Sequence, residues 1–500
     1  MHHMRFRLAL TFLLTLLLLV AISAANGVAD PTTQGFLYRI LVDEDGNAQV
    51  EISFRDSAGA LSKGAWVAVP SKRFTNWTWS GDASFNRTSI DFFYDNLSFS
   101  YSREVAVTVK YNFSRASMIV EPDAFFMSPR ILFGPQQQGE GRVSLSRVDR
   151  DIAPGDVSPY PVQTSTDGDR VEMVFSLDRS VERITVYYVV TGQIRLQSIA
   201  VGKYTGLTPR RYAEVMDSIL QLYSRNEKKL EDLFHTQIGN VTVRFFSPKP
   251  DQMDIEGYTP FNATHMGDIF MNLFYTRFIP GHFEQAALHE LVHHYLWASG
   301  IRPQILWIHE GGANFFSTQL TLEEGYVGAE IFRDSITEIG GSLRGEYGFI
   351  EDWTPGSAIR DLSRRYAASY MVFERLNATY GFEIFSRFFR LLSENSERSI
   401  DGREAIRFFS IAAGENLNPV FSSMGFRDLP DLSDLNLTHT ATWFDQTQHV
   451  TSSTERSPLV AFVAGLLLVV IAATVVVLAV ISTRRAHRDY QTSSDLYYGY

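Results

Sequence analysis

The sequence predicts an α+β chain in three successive parts: an N-terminal all-β region, a mainly helical domain with a small β-sheet, and a single C-terminal transmembrane helix. Three observations lead to this prediction. Apolar residues alternate with period two over residues 36–200, and after residue 207 they recur at helical spacing. Near the end, residues 459–481 carry no charge and, at about 1.5 Å per residue, are long enough to cross a hydrocarbon core of about 30 Å.

Composition narrows the possible functions. The 500 residues are 45% hydrophobic and 13% aromatic, which is typical of globular domains and predicts two or three of them. A net charge of −11 without a basic face argues against nucleic acid as a partner. The chain has no cysteine, and this excludes disulfides, thiol nucleophiles and thiolate metal sites. Any chemistry must come from histidines, carboxylates, hydroxyls or a bound metal.

The first element is predicted to be a signal peptide over residues 1–26. Arg5 and Arg7 precede an apolar run, Leu8–Ile22, and small residues follow at Ser23–Ala25. This order of charged, apolar and small segments is typical of secretory signals. An uncleaved N-terminal anchor is the alternative.

Residues 27–203 are predicted to form the β-rich extracellular region. Strands at Phe36–Val42 and Ala48–Phe54 flank a turn that contains Gly46, which predicts a hairpin. This region carries no catalytic constellation. A stalk, a recognition surface and a lid all remain open as its role.

Residues 204–428 are predicted to form the mainly helical domain. Pro209 opens an amphipathic helix that extends to Phe234, and a strand follows at Val241–Phe246. A second strand is expected near Gly267–Leu273, after which the pattern is mostly helical. The polar residues 429–457 read as a linker to the membrane.

The C-terminal segments predict membrane topology. A transmembrane helix is expected over residues 458–482, and Arg484, Arg485 and Arg488 follow it directly. The positive-inside rule then places the tail, residues 483–500, in the cytoplasm. We therefore expect a single-pass type I protein of the cell membrane, anchored in the lipid bilayer, with its main body outside.

Eight N-x-S/T triplets between the two apolar segments favour an exported glycoprotein: Asn76, Asn86, Asn96, Asn112, Asn240, Asn262, Asn377 and Asn436.

One segment predicts the chemistry. His289, Glu290 and His293 form an H-E-x-x-H pattern on a stretch with helical character. Four residues advance a helix by about 400°, so both histidines share one face and can bind one zinc ion. Glu290 projects beside them and is placed to act as a general base on water. Polar histidines without a metal are the alternative, since the pattern also occurs by chance.

A second segment strengthens the zinc prediction. A catalytic zinc needs three protein ligands and one open position, and Glu310 is the natural third ligand. Trp307, Glu310, Gly311 and Ala313 match W-x-x-E-G-x-A, so the chain resembles the gluzincin metallopeptidases, the superfamily of thermolysin and aminopeptidase N. The resemblance covers roughly residues 240–381.

The resemblance implies roles for further residues. It implies a thermolysin-like catalytic domain whose strand before the first site helix, here Gly267, Asp268, Ile269 and Phe270, binds the substrate backbone. It implies that Tyr366 stabilises the oxyanion of the transition state, and that Asn314 orients a zinc-binding histidine from its outer side. His294 and His309, which flank the ligands, are expected to point elsewhere on their helices.

One departure from the family concerns chain-end specificity. In the aminopeptidase branch, a G-x-M-E-N motif precedes the substrate strand, and its glutamate holds the free amine of the substrate. The corresponding stretch here, Phe261–Met266, contains no glutamate. Aminopeptidase specificity is therefore not predicted.

Together these features predict a cell-surface zinc peptidase that uses one zinc ion per chain to hydrolyse a peptide or protein substrate. A non-catalytic surface receptor or adhesin that binds through the β-rich region is the alternative. The intact Glu290 argues against this alternative, because a receptor has no need of a general base. Cleavage at chain ends or internally, and the oligomeric state, are left open.

Overall fold

The computed structural model describes residues 34–440, apart from 58–62, 92, 135–136, 179–180, 250–251, 263–264, 278–279, 356–360, 396–399, 436 and 438. The predicted signal peptide, transmembrane helix and cytoplasmic tail lie outside these residues, as does the linker beyond residue 440. Among the helices that the structure describes, none is both long and apolar enough to cross a membrane.

A β-rich region comes first and a mainly helical region follows, as the sequence predicts. The described strands of the β-rich region are β1 (Gly35–Val42), β2 (Ala48–Asp56), β3 (Lys63–Pro70), β4 (Trp77–Gly81), β5 (Asn86–Ser89), β6 (Tyr94–Tyr101), β7 (Val105–Phe113), β8 (Ser117–Val120), β9 (Asp123–Met127), β10 (Gly139–Leu145), β11 (Val157–Ser158), β12 (Gln163–Asp167), β13 (Arg170–Leu177) and β14 (Thr185–Val189).

These strands form three sheets around a shared core. Seven strands lie in the order β12-β13-β10-β1-β2-β7-β4, four in the order β11-β14-β9-β8, and three in the order β3-β6-β5. Alternate residues point inward, so that β7 buries Val105, Val107 and Val109 while their neighbours face outward. The predicted hairpin is confirmed, since β1 and β2 pair antiparallel around a turn in which Gly46 has φ of +86°. Apolar side chains from all three sheets form one cluster.

A five-stranded sheet belongs to the helical region and lies beside the site. Its strands are β15 (Leu196–Val201), β16 (Tyr204–Pro209), β17 (Val241–Phe246), β18 (Gly257–Tyr258) and β19 (Ile269–Asn272), in the order β15-β16-β17-β19-β18. Because β15 and β16 are an antiparallel pair, the boundary predicted at residue 203 falls inside one hairpin, and the sheet begins at Leu196. Two short strands, β20 (Glu415–Asn416) and β21 (His439–Thr440), pair further along the chain.

Helices make up most of the remaining described chain. They are α1 (Ala213–Phe234), α2 (His282–Ala298), α3 (Leu306–Glu323), α4 (Val327–Ser342), α5 (Leu362–Tyr380), α6 (Glu383–Glu394), α7 (Gly402–Ala413) and α8 (Asn418–Ser423). The helix predicted from Pro209 is α1, but β16 runs up to Pro209 and a 3-10 turn precedes Ala213. It ends where His235 takes φ of +49°.

The two regions meet in a buried junction. Met118 and Phe125 of the β-rich region lie in the same apolar cluster as α1, α2 and the five-stranded sheet. The backbone N–H of Ile119 donates to the Tyr212 hydroxyl at 2.7 Å, and Arg211 donates to the buried Glu121 at 2.8 Å. The β-rich region therefore packs directly against the helical region.

Candidate metal centre

Helix α2 carries the two histidines of the H-E-x-x-H pattern. It is apolar on nearly every side, which suits a helix buried between other elements. His289 and His293 lie one turn apart, and their Nε2 atoms are 3.1 Å from each other. The backbone that starts the helix is held by Glu284, whose carboxylate accepts from the Gly281 N–H at 2.7 Å.

Helix α3 brings Glu310 to the same point. Its Oε2 lies 3.2 Å from His289 Nε2 and 3.8 Å from His293 Nε2. The start of α3 is fixed by Trp307, which is 3% exposed and packs edge-on against Phe421 and Phe426. Three donor atoms from two helices thus converge on one small volume.

The donor atoms fit a zinc ion. Two imidazole nitrogens and a carboxylate oxygen are zinc ligands in catalytic sites, and in a tetrahedral site ligands at about 2.0–2.1 Å from the metal lie about 3.3–3.4 Å apart. The observed separations of 3.1, 3.2 and 3.8 Å bracket that value. A cation between these atoms would relieve the crowding of three groups that each present a lone pair.

Each histidine has its own partner on α3. Asn314 Oδ1 lies 3.0 Å from His289 Nδ1, so the structure places Asn314 behind that ligand. His309 Nδ1 lies 3.2 Å from His293 Nδ1, and His309 Nε2 lies 3.0 Å from the carbonyl oxygen of Ile301. His309 is 2% exposed, and burial lowers its pKa to about 4. The prediction that the His309 side chain points away from the metal ligands is wrong, since it contacts His293.

Glu290 lies beside the three donor atoms and is 5% exposed. Burial raises its pKa to about 7. The Thr259 hydroxyl donates to its Oε2 at 2.8 Å. Strand β18 lies directly against this carboxylate, because a Cβ on Gly257 would be 3.0 Å from Glu290 Cγ. The end of β18 therefore orients the predicted general base.

Tyr366 on α5 faces the same group of acids. Burial, then the charges of Glu310, Glu290 and Glu256, raises its pKa well above the ordinary value. The hydroxyl therefore keeps its proton and remains a donor. Tyr370, one turn further along α5, is fully buried beside Phe315 and belongs to the core.

The strand predicted to bind substrate is not the exposed one. Phe270 of β19 pairs with Arg244 of β17 on one side and with Tyr258 of β18 on the other, so both edges of its backbone are occupied. Ile269 is buried and pairs with β17. Before the strand, Asp268 forms an ion pair with Arg244 at 2.7 Å, and the Gly267 N–H donates to the Pro260 carbonyl at 2.6 Å. In the described part of the sheet, the outer strand beside Glu290 is β18.

Sequence analysis did not identify Glu256, which immediately precedes β18. Its side chain is 34% exposed, and its Oε1 lies 3.2 Å from His282 Nε2. Although burial alone would raise the pKa of Glu256, the charges of His282 and His289 hold it below the ordinary value. A glutamate thus does precede the edge strand at this site, but earlier in the chain than the stretch 261–266 in which it was sought.

Comparison with known proteins gives structural matches alone. No protein-family model matches the chain, and no curated protein matches its sequence. Aminopeptidase A from Legionella pneumophila, in complex with aspartic acid, matches over 79% of this chain and 50% of its own, at 11% identity and a TM-score of 0.35. The chain thus spans about half the length of that protein.

Two further matches have similar scores. Native yeast LTA4 hydrolase aligns over 80% of this chain and 70% of its own, at 9% identity and a TM-score of 0.34. An M1 zinc metallopeptidase from Deinococcus radiodurans, bound to a Tyr-Ser-Ala substrate, aligns over 80% and 95%, at 12% identity and a TM-score of 0.31. Matches with such low scores do not show what this chain does, so its function has to be inferred from its own site residues.

Proposed function

We propose that this chain is a zinc-dependent peptidase, anchored in the cell membrane with its catalytic region outside the cell. The observation that carries the proposal is the convergence of His289 Nε2, His293 Nε2 and Glu310 Oε2 at separations that suit one zinc ion. Glu290 and Tyr366 lie beside these atoms. A site with three protein ligands and adjacent proton-transfer groups is typical of hydrolytic zinc enzymes and not of structural zinc.

His289, His293 and Glu310 would hold the metal. When bound, zinc supplies Lewis-acid chemistry, polarising the carbonyl of the peptide bond and lowering the pKa of water. Asn314 and His309 hold the two imidazoles from their outer sides.

Glu290 carries the proton transfers in this proposal. Its carboxylate takes a proton from the attacking water and later delivers that proton to the leaving amine. The hydrogen bond from Thr259 keeps the carboxylate in one orientation. Tyr366 donates a hydrogen bond to the carbonyl oxygen as negative charge develops on it. No covalent intermediate is required, which agrees with a chain that has no cysteine.

Membrane anchoring is supported by the sequence of the chain ends. The uncharged run 459–481 is followed by Arg484 and Arg485, which favours a type I orientation. Of the seven N-x-S/T asparagines that the structure describes, five are exposed: Asn76, Asn86, Asn112, Asn240 and Asn262. Exposed acceptors suit glycosylation on the exported side.

Metal content and hydrolysis, measured together, test the proposal. The full chain, purified in detergent, is compared with His293→Ala and Glu290→Gln by mass spectrometry for metals and with a quenched fluorescent peptide library. We expect one zinc per chain in the wild type and in Glu290→Gln, and none in His293→Ala. Hydrolysis should fall by about 10²–10⁴-fold in Glu290→Gln, the usual contribution of a general base.

Two outcomes would overturn the proposal. If the wild type binds no zinc after supplementation, the three side chains do not form a metal site. If it binds zinc but hydrolyses peptides no faster than Glu290→Gln, the receptor alternative is favoured, with the β-rich region as the binding surface.

A further inference from the structure

We propose that His309 is a positioning residue that fixes which nitrogen of His293 carries the proton, and so keeps His293 Nε2 free to bind the metal. The inference rests on the proposed zinc site, but it concerns a contact that the three ligands and Glu290 do not provide. It assigns a role to a histidine that is adjacent to the ligand Glu310 and is not itself a ligand.

The proton positions follow from a chain of three contacts. A carbonyl oxygen can only accept, so His309 Nε2, which lies 3.0 Å from the Ile301 carbonyl, must carry a hydrogen. A neutral imidazole has one N–H, so His309 Nδ1 is an acceptor. His293 Nδ1, at 3.2 Å, must then be the donor, which leaves His293 Nε2 without a hydrogen.

The surroundings of His309 offer these two contacts. His309 is 2% exposed, and its two ring nitrogens face one imidazole and one carbonyl. Its ring also stacks on that of His293, with centroids 5.4 Å apart and an interplanar angle of 23°.

The carbonyl at the end of the chain of contacts is itself held in place. Ile301 is 1% exposed and follows Gly300, whose φ of +90° turns the backbone at the end of α2. The Ile301 N–H donates to the Leu296 carbonyl at 3.1 Å, and Ile301 also forms a bridge with Ile400. The connection between α2 and α3 therefore serves as a fixed acceptor.

The other zinc-binding histidine is oriented by different chemistry from the same helix. Asn314 Oδ1 accepts from His289 Nδ1 at 3.0 Å, which likewise leaves His289 Nε2 free. Helix α3 thus supplies an orienting group for each histidine, His309 one residue before Glu310 and Asn314 one turn after it. His309 differs from Asn314 in that its own orientation depends on the loop carbonyl.

Zinc affinity is the direct test, because it does not require an active enzyme. The dissociation constant is measured by competition with a fluorescent chelator for the full chain in detergent, for His309→Phe, and for His309→Asn. We expect His309→Phe to bind zinc about 10–100-fold more weakly, the usual cost of losing an orienting partner. His309→Asn keeps an acceptor for His293 and should recover most of that loss.

His294→Phe is the matched control. This residue is the next histidine on α2, it is 9% exposed, and its buried Nε2 has no hydrogen-bond partner among the described residues. The same substitution at this position should leave zinc affinity unchanged. Melting temperatures of the zinc-free proteins show whether each variant folds, and if His309→Phe does not fold, a further variant, His309→Leu, supplies the side chain without an acceptor for the comparison with His309→Asn.

Three results would overturn the proposal. The first is equal zinc affinity in His309→Phe and the wild type. The second is an equal loss of zinc affinity in His309→Phe and His294→Phe. The third is a zinc affinity in His309→Asn that is as low as in a folded variant without an acceptor at this position. In each case a wild type that binds zinc and hydrolyses peptides leaves the proposed function intact. A wild type that binds no zinc overturns both.

Discussion

The charges of three carboxylates act on Tyr366, and each carboxylate has a different environment. Glu310 lies against His289, Glu290 is buried and accepts from Thr259, and Glu256 is partly exposed beside His282. All three contribute to the raised pKa of Tyr366. The first suits metal binding and the second suits proton transfer, which leaves Glu256 available to contact substrate.

Glu256 leads to a prediction about substrate choice. A carboxylate beside the edge strand can pair with the ammonium group of a peptide, so the proposed peptidase should prefer peptides with a free N-terminus. Loss of a charged hydrogen bond costs about 1.5–3 kcal/mol, or about 10–100-fold. We therefore expect Glu256→Gln to lower kcat/KM by that factor for free peptides and to leave kcat/KM for N-acetylated peptides unchanged.

Asp254→Asn serves as the control, because Asp254 is an exposed acid two residues earlier on the same segment. It should not change the ratio of the two rates. Equal cleavage of free and acetylated peptides by the wild type would instead indicate an endopeptidase, with Glu256 serving only the ion pair with His282.

At the residue scale, the spacing of residues in the sequence predicts which side chains one helix brings together. It does not predict which side chains a second helix brings to the same place. His289 and His293 could be placed together because both lie on α2, one turn apart. The contact between His293 and His309 depends on how α3 crosses α2. Because His309 is adjacent to Glu310 in sequence, its side chain was expected to point in another direction than the ligands. Glu256 was missed because nothing in its spacing relates it to the histidines.

At the element scale, short strands escape pattern analysis. The substrate strand was predicted near Gly267–Leu273, but the strand found there, β19, lies inside the sheet, between β17 and β18. The exposed edge is β18, which has two residues, Gly257 and Tyr258, and therefore no measurable alternation. Sheet order depends on long-range pairing, which local periodicity does not encode.

The close packing of α3 on α5 gives a prediction for Gly311. A Cβ on Gly311 would lie 2.8 Å from the Ser369 carbonyl oxygen and 2.9 Å from its carbon, so the two helices would have to separate. Gly311→Ala should therefore destabilise the protein by about 1–3 kcal/mol, the usual cost of overpacking. It should also lower hydrolysis, since Glu310 lies on α3 and Tyr366 on α5. Thermal melting and peptide hydrolysis measure the two effects.

Gly341 on α4 is the matched control for this substitution. It is exposed, and a Cβ there would meet nothing within 4 Å. Gly341→Ala should stabilise the protein by up to about 1 kcal/mol, because alanine favours a helix. If Gly311→Ala were equally well tolerated, close contact between α3 and α5 would not be what sets the distance from Glu310 to Tyr366.

At the scale of the whole molecule, the two regions share structure across the predicted boundary. Met118 and Phe125 of the β-rich region pack in the core of the helical region, and the Ser247 hydroxyl donates to the Met118 carbonyl at 2.8 Å. Composition and periodicity predicted two regions correctly but could not predict this contact, which joins segments more than 100 residues apart. The β-rich region is therefore in a position to stabilise the helical region.

Glu121 at this junction gives a prediction for stability as a function of pH. Its side chain is 6% exposed and accepts from Arg211 at 2.8 Å and from Arg147 at 3.2 Å. Burial alone would raise the pKa of Glu121, but the two arginines hold it below the ordinary value of 4.5. The folded state therefore favours the charged carboxylate, and its stabilising effect is fully present above pH 4.5 and lost as the pH falls through the lower folded-state pKa.

Glu121→Gln should consequently destabilise the full chain by about 3 kcal/mol at pH 7, because it removes the buried carboxylate that pairs with the partly buried Arg147 and Arg211 and leaves Arg211 only the exposed Asp45, at 3.7 Å. The difference from the wild type should shrink as the pH falls below 4.5 and be lost below the folded-state pKa of Glu121, where the carboxyl is protonated in the folded protein as well. Thermal melts at pH 7, 4 and 3 measure this. Glu51→Gln provides the contrast, since Glu51 pairs with the exposed Lys110 and such a pair contributes at most about 1 kcal/mol. A deficit in Glu121→Gln that stays constant from pH 7 to pH 3 would show that the glutamate acts through packing and not through its charge.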